Sequence, residues 1–385
     1  MADCLFPILF AFLIKEMGKD LVSPKNSKLC IVVIIFWIAS YFTPALNEAY
    51  EAGTFLSSNL VIIIGAIYLV VIAWTFFQIT LFYGKEFTAK IILWSGLFYG
   101  GIGLSALLLH LVFGVETSLV CFKCTSSNYF AGFPRIKGFS LSINAFGFHI
   151  FSSLVALLML IETKISKIRA FQAVFLFICI FFSFSKTMII AGLCYAFYFS
   201  KKLFNKTKFI PRLVLISGIL FYLGITHFVY VKDQESLNTL SEKCPVCVTS
   251  DIKESFPYNK TNLYPSLFAE LKKTYWKLGI KNFPWGMGAI NKFSNHTRPH
   301  STFFERFALH GILGILSFLF LVFLIFKNSR KEKLKNDNYN IVMNLFWLMA
   351  LMIGLNGDIL RFRELWVFIG FSLALANEKG PSNCS

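Results

Sequence analysis

A histidine, His300, stands where a polar segment gives way to an apolar one. Pro299 before it and the hydroxyl of Ser301 or Thr302 after it are typical of a helix start, and Glu305 falls in the expected first turn. The pattern predicts a long helix over 301–326 with His300 just outside its N-terminus. Because free imidazole titrates near neutrality, a histidine with partial access to water at such a boundary is suited to general base catalysis.

Four cysteines form two Cys-x-x-Cys pairs, Cys121 with Cys124 and Cys244 with Cys247. Both pairs fall in loops on the outer side of a membrane, because the short basic loops of the chain mark the opposite, cytoplasmic side. In an oxidising compartment they favour structural disulfides, either within each pair or between the two loops. A zinc site with four thiolate ligands is an alternative, since two such pairs are a recognised ligand pattern. Unbonded thiols are a third interpretation.

The other histidines are weaker candidates for chemistry. His110, His149 and His227 lie in apolar segments, where an imidazole most often makes a hydrogen bond between helices. His296 and His310 flank the predicted helix start but do not occupy the position of His300.

Two glycines, Gly311 and Gly314, follow in the predicted helix and would let another helix pack closely against it. The whole pattern is His300-Ser301, then nine residues, then Gly-Ile-Leu-Gly from Gly311 to Gly314. It resembles the signature of the O-antigen ligase and polymerase superfamily. The resemblance implies a metal-independent membrane glycosyltransferase of GT-C-like type that needs no cofactor, with His300 as its catalytic base and Ser301, Gly311 and Gly314 as supporting residues.

The resemblance extends to other stretches between about 130 and 375. Lys186, in a predicted outward turn after Ser185, stands where relatives usually have an arginine, and Lys272 or Lys273 fills a second such place before the Pro-x-Gly-x-Gly stretch 284–288. Lysine preserves the charge of arginine but not its two-pronged geometry. The resemblance implies that a lipid diphosphate is bound by Lys186, Arg135, Lys272, Lys273 and Arg298, and Arg361 or Arg363 are alternatives where a lysine replaces the arginine of relatives.

Two further stretches match. Arg135 and Gly138, with Asn144 just after them, are similar to the stretch that opens an earlier helix in relatives. Asp358, with Arg361 nearby, is similar to the acidic last outward turn of some ligases. These two are supporting residues: Asp358 could orient His300 or bind the acceptor, and it could equally be a solvated turn residue.

The chemistry implied is transfer of a glycan from an undecaprenyl diphosphate carrier, with inversion at the anomeric carbon. Cations at headgroup depth would stabilise the charge that develops on the diphosphate, while His300 takes the proton of the acceptor hydroxyl. The acidic last turn favours an O-antigen ligase acting on lipid A core in lipopolysaccharide biosynthesis. The alternative is an O-antigen or capsular polysaccharide polymerase that uses the same donor, and a third option within the superfamily is a transferase that glycosylates protein.

The composition excludes a soluble globular protein. The 385 residues are 56% hydrophobic and only 15% charged, with a mean hydropathy of +0.65. The formal net charge of +17 could suggest nucleic acid. The basic residues of the short loops between apolar segments, however, account for most of this net charge, and there they set membrane orientation and meet anionic lipid headgroups. No nucleic-acid partner is therefore expected.

We predict an all-α polytopic membrane protein with about eleven spans, between roughly ten and twelve, since each span needs about 20 apolar residues. The predicted segments are 4–17, 28–43, 57–83, 89–114, 142–161, 169–184, 187–200, 210–231, 301–326, 340–356 and 365–378.

The positive charge of alternate loops orients the chain with the large loop 232–300 on the outer side of the membrane. The resemblance implies that this membrane is a bacterial inner membrane and that the active site faces the periplasm. Three regions result: N-terminal membrane helices over 1–231, a large periplasmic loop with short helices over 232–300, and C-terminal membrane helices over 301–385. One short helix is predicted over 263–280. A transporter or flippase is less favoured, because the charges cluster at the outer boundary rather than at mid-membrane.

Overall fold

The computed structural model describes residues 27–52, 57–115, 117, 119–121, 135–136, 138, 143–161, 166–183, 185–203, 275–287, 301–329, 338–354, 360 and 362–377. Within these residues the chain forms nine main helices, one short helix and a pair of two-residue strands.

The helices and strands are numbered in chain order. They are α1 (Ser27–Ala52), α2 (Ser57–Tyr83), α3 (Lys85–Phe113), β1 (Val120–Cys121), β2 (Arg135–Ile136), α4 (Ile143–Met159), α5 (Lys167–Ser183), α6 (Lys186–Leu203), α7 (275–281), α8 (Thr302–Ser329), α9 (Asn338–Gly354) and α10 (Arg363–Asn377).

Several helices are long and apolar enough to cross a membrane. In the described residues, three meet both conditions, namely Ile63–Tyr83, Lys85–Phe113 and Thr302–Leu324. Large apolar side chains on the helices are well exposed, for example Phe98 and Phe171 at more than two thirds of their surface. Water would penalise such exposure, whereas lipid would not. The helices therefore have the character of membrane helices.

Most predicted segments agree with the helices to within four residues at each end where the structure describes them, but α1 continues to Ala52, nine residues beyond the end of the predicted segment 28–43. The segment 57–83 matches α2 at both ends, and 142–161 differs from α4 by only one or two residues at each end. The segments 4–17 and 210–231 lie outside the described residues, so the full count of eleven spans stays a prediction. The predicted loop helix over 263–280 is described only at its end, as α7.

The chain forms two compact units. The first combines α1 and α2 with everything described from 275 onward, and the second contains most of α3 together with the strands and α4 to α6.

The first unit is held together by close packing between helices that are far apart in sequence. Gly370 of α10 faces the backbone of α2, where a Cβ atom would meet the carbonyl of Ala73 and lie 2.9 Å from the nitrogen of Phe77. The indole of Trp37 on α1 donates a hydrogen bond to the carbonyl of Ala66 on α2, at 3.2 Å. Small residues and hydrogen bonds of this kind replace the hydrophobic effect as the force between membrane helices.

The second unit is centred on α4, which is buried over most of its length. Ser153 of α4 donates a hydrogen bond to the carbonyl of Ile92 on α3, at 2.9 Å, and a Cβ atom on Gly96 would clash with that serine. A helix that is apolar on nearly every face is expected at the centre of a bundle. The strands β1 and β2 pair antiparallel, with Val120 opposite Ile136.

Candidate functional site

The polar start of α8 is the first part of the candidate site. The helix begins at Thr302, one residue from the predicted start, and Glu305 lies in its first turn. The backbone nitrogen of Glu305 donates to the carbonyl of Ser301 at 3.0 Å, so Ser301 occupies the N-cap position. Ser301 and Thr302 are both buried. His300 itself lies outside the described residues, and its catalytic role stays a prediction.

The helix α8 is broken at Gly311, which has a φ of 59° and a ψ of −149°. The turn 282–287, which follows α7, packs into this break. The nitrogen of Ile312 donates to the carbonyl of Pro284 at 2.9 Å, and the nitrogen of Met287 donates to the carbonyl of Ala308 at 3.0 Å. The turn thereby provides partners for the backbone groups that the break releases.

The two glycines of the motif were predicted to let another helix pack closely, but the structure gives a different reason for each. A Cβ atom on Gly311 would clash with the carbonyl of Pro284, and one on Gly286 would lie 2.5 Å from the nitrogen of Gly311. The nearest neighbour of Gly311 is thus a turn, not a second helix. At Gly314 a Cβ atom would lie 2.7 Å from the carbonyl of Arg306, so Gly314 lets α8 bend on itself.

Arg306 is a buried cation that the sequence analysis missed. Its side chain is only 1% exposed, and its guanidinium carbon lies 4.4 Å from the ring of Trp37 and 4.9 Å from that of Tyr41. Both rings belong to α1. From sequence alone, a single arginine in the second turn of a membrane helix is expected to extend its side chain to the membrane–water interface. The spacing of Trp37 and Tyr41, four residues apart on one face of a helix, was the only available signal.

His310 is the second buried polar residue on this side of α8. Its Nδ1 lies 2.9 Å from the carbonyl of Ser40, and its ring centre lies 4.4 Å from that of Tyr41. Because a carbonyl only accepts, Nδ1 must carry the hydrogen. His310 therefore joins α8 to α1 by a hydrogen bond, which is consistent with its position off the motif.

The second unit brings together two residues that the resemblance had matched separately. Ser185 lies in the turn between α5 and α6, as predicted, and is buried. Its hydroxyl donates a hydrogen bond to Oδ1 of Asn144, at 2.9 Å, near the start of α4. Lys186 is the first residue of α6, and Arg135 lies in β2 opposite Cys121. The side chains of Lys186, Arg135 and Cys121 are outside the described structure.

The remaining histidines in the apolar segments differ in the hydrogen bonds they make. Nε2 of His149 lies 3.2 Å from the hydroxyl of Ser95 on α3, which confirms the predicted bond between helices. His110 lies with Nδ1 3.3 Å from the carbonyl of Val115, just beyond its own helix. His227 is outside the described residues.

Most of the other predicted site residues also fall outside the described structure. They are Lys272, Lys273, Arg298, Asp358, Arg361, Cys124, Cys244 and Cys247.

In the part of the chain that the structure describes, these features define a predominantly helical protein with membrane-type helices, in which a broken helix carries buried polar residues in its first turns. No family model matches the chain, and no curated protein is significantly similar to it.

Proposed function

We propose that this protein is a membrane-bound inverting glycosyltransferase of the O-antigen ligase and polymerase type. One observation carries the proposal. Two stretches that were matched to the superfamily independently, 284–288 and the Gly-x-x-Gly beginning at Gly311, are joined by backbone hydrogen bonds at the break in α8. Two chance matches would have no reason to meet, so their contact supports a shared functional origin.

The proposed reaction uses groups at the start of α8 and in the loop before it. His300, next to the N-cap residue Ser301, takes the proton from an acceptor hydroxyl as its oxygen bonds to the anomeric carbon of the donor glycan. The bond between that carbon and the diphosphate oxygen breaks, and the electron pair leaves with the diphosphate. Lys272, Lys273 and Arg298 stabilise the leaving charge. The attack from the opposite side inverts the anomeric carbon.

The favoured acceptor is lipid A core, so that the protein acts as an O-antigen ligase at the periplasmic face of the inner membrane. This choice of acceptor rests on Asp358, the acidic residue in the last outward turn. The alternative is the polymerase, which adds glycan to a growing chain on the same lipid diphosphate.

A gel of lipopolysaccharide from a host strain that lacks the gene tests the proposal. We expect the deletion strain to show core without long glycan, and His300→Ala to reproduce this defect with a loss of at least about 100-fold in transfer, in the range of a missing general base. His296→Ala is the matched control, because it removes a nearby histidine that has no proposed role, and it should restore long glycan. Immunoblots of the membrane fraction check that each variant is present in equal amount.

The gel also separates the alternatives. Core that carries a single repeat unit in the deletion strain would identify a polymerase. Long glycan that accumulates on the lipid carrier would identify the ligase. Normal long glycan with His300→Ala would contradict the proposed mechanism.

A further inference from the structure

The guanidinium of Arg306 has aromatic neighbours but no hydrogen-bond partner for its two terminal nitrogens within the described residues. Both nitrogens, Nη1 and Nη2, are buried as well as unpaired. The cation lies against the faces of Trp37 and Tyr41, whose rings are 5.1 Å apart. The two rings thus hold the guanidinium in place, while its terminal nitrogens have no hydrogen-bond partner among the described residues.

Such an arrangement is costly unless an anion completes it. A buried charge loses its hydration, and each donor that stays unpaired adds a further penalty. Cation–π attraction to two aromatic faces offsets part of this penalty, but the rings supply no hydrogen-bond acceptor. An arginine retained at such a site is best explained by a ligand that brings acceptors of negative charge.

We propose that Arg306, held between Trp37 and Tyr41, forms a binding site for an oxyanion of the phosphate or diphosphate type. Two donors of a guanidinium match two oxygens of a phosphate, and aromatic stacking orients the fork in advance. The site would also supply the arginine geometry that the lysines at 272–273 lack.

An apolar cavity beside this cage indicates that the anion is carried on a lipid. The ring of Trp366 lies 4.7 Å from that of Trp37, and Trp366 also lines a cavity of about 360 Å³. The rest of the lining is apolar as well and comes from α1, α2, α8 and α10, including Val33, Phe77, Leu321 and Ile369. A prenyl chain fits such a cavity. Its identification with the donor's lipid rests on the proposed function, whereas the oxyanion site does not.

Thermal unfolding of the purified full-length protein in phosphate-free detergent buffer tests the site. The probes are pyrophosphate, farnesyl diphosphate and farnesol at matched ionic strength. A ligand that binds only the folded state raises the unfolding temperature in proportion to ln(1 + [L]/Kd). We expect both diphosphates to raise it in the wild type. Farnesyl diphosphate should act at a concentration at least tenfold lower, and farnesol alone should produce little change.

Two substitutions and one control identify the residue responsible. Arg306→Met should abolish the rise caused by either diphosphate, and Arg306→Lys should weaken binding at least tenfold, because a point charge replaces the fork. Lys327→Met is the matched control. Lys327 is an exposed cation in the last turn of the same helix, and its loss should leave both responses unchanged.

The outcomes are distinct. If no diphosphate shifts the wild type, or if Arg306→Met or Arg306→Lys responds like the wild type, the site is refuted and Arg306 only packs α8 against α1. If pyrophosphate acts as strongly as farnesyl diphosphate, the oxyanion site stands and the anion is free rather than lipid-borne. The glycan gel with His300→Ala gives a separate answer, so either proposal can fail while the other holds.

Discussion

The first turns of α8 bury three side chains that are usually exposed. Glu305, Arg306 and His310 are each 3% exposed or less. Polar groups within a membrane helix are expensive, and they persist where they hold helices together or meet a ligand. Arg306 and His310 illustrate the two cases. His310 uses a ring nitrogen on a backbone carbonyl, while the terminal nitrogens of Arg306 have no such partner among the described residues.

Substitution of His310 should therefore lower stability rather than abolish chemistry. His310→Phe keeps an aromatic ring against Tyr41 but leaves the carbonyl of Ser40 buried without its donor. We expect a loss of about 1 to 3 kcal/mol in the free energy of unfolding, the usual cost of such a group. Thermal unfolding in detergent measures the change.

A second variant separates the hydrogen bond from the packing. The amide of His310→Gln can donate to the carbonyl of Ser40, so this variant should lose less stability than His310→Phe. Equal unfolding temperatures for the two variants would mean that the hydrogen bond contributes nothing.

At the scale of elements, hydropathy located the helices but not the break in α8. Apart from the glycines, the stretch 301–326 contains no residue that would interrupt a helix. The break depends on the turn 282–287, whose carbonyl and nitrogen groups replace the lost helical bonds. A contact across more than 20 residues of sequence leaves no local signal except the glycines, and these also suit an approach between helices.

The same limit applies to the polar residues of the site. The resemblance pointed to Ser185 and to Asn144 separately, and only the fold brings their side chains to 2.9 Å. Arg306 could not be identified from the sequence, because its burial depends on contacts with Trp37 and Tyr41 in another helix.

The break in α8 leads to a prediction for Gly311. Gly311→Ala places a Cβ atom against the carbonyl of Pro284 and forces a non-glycine residue to a positive φ. Backbone strain alone costs about 1 to 3 kcal/mol, and the clash with backbone atoms adds to it. We expect a loss of more than about 3 kcal/mol in unfolding free energy, because the turn must separate from the helix. Denaturation of the purified protein in detergent provides the measurement.

Gly65→Ala is the control for this prediction. Gly65 lies inside α2, where a Cβ atom would meet nothing within 4 Å. Alanine is the better helix former by about 1 kcal/mol, so this variant should be as stable as the wild type or slightly more stable. Similar behaviour of the two alanine variants would contradict the role assigned to the break.

At the scale of the whole molecule, hydropathy and three-dimensional contact carry different information. Hydropathy tells which solvent a segment prefers, and it therefore divides the chain into consecutive stretches. Contacts depend on shape, and the first compact unit joins α2 with α10 through Gly370, although some 300 residues separate them. Membrane insertion can thus be argued from the sequence, whereas the partner of each helix cannot.

The orientation of α8 is the last testable consequence. Its first turns carry the proposed chemistry and must face the periplasm, while the basic residues from Lys327 onward must face the cytoplasm. In a variant without native cysteines, Asn259→Cys should react with a membrane-impermeant maleimide in intact spheroplasts. Asn336→Cys should react only after lysis. The reverse pattern would place His300 in the cytoplasm, away from any glycan on the outer leaflet, and would refute the proposed transfer even if α8 itself were correctly described.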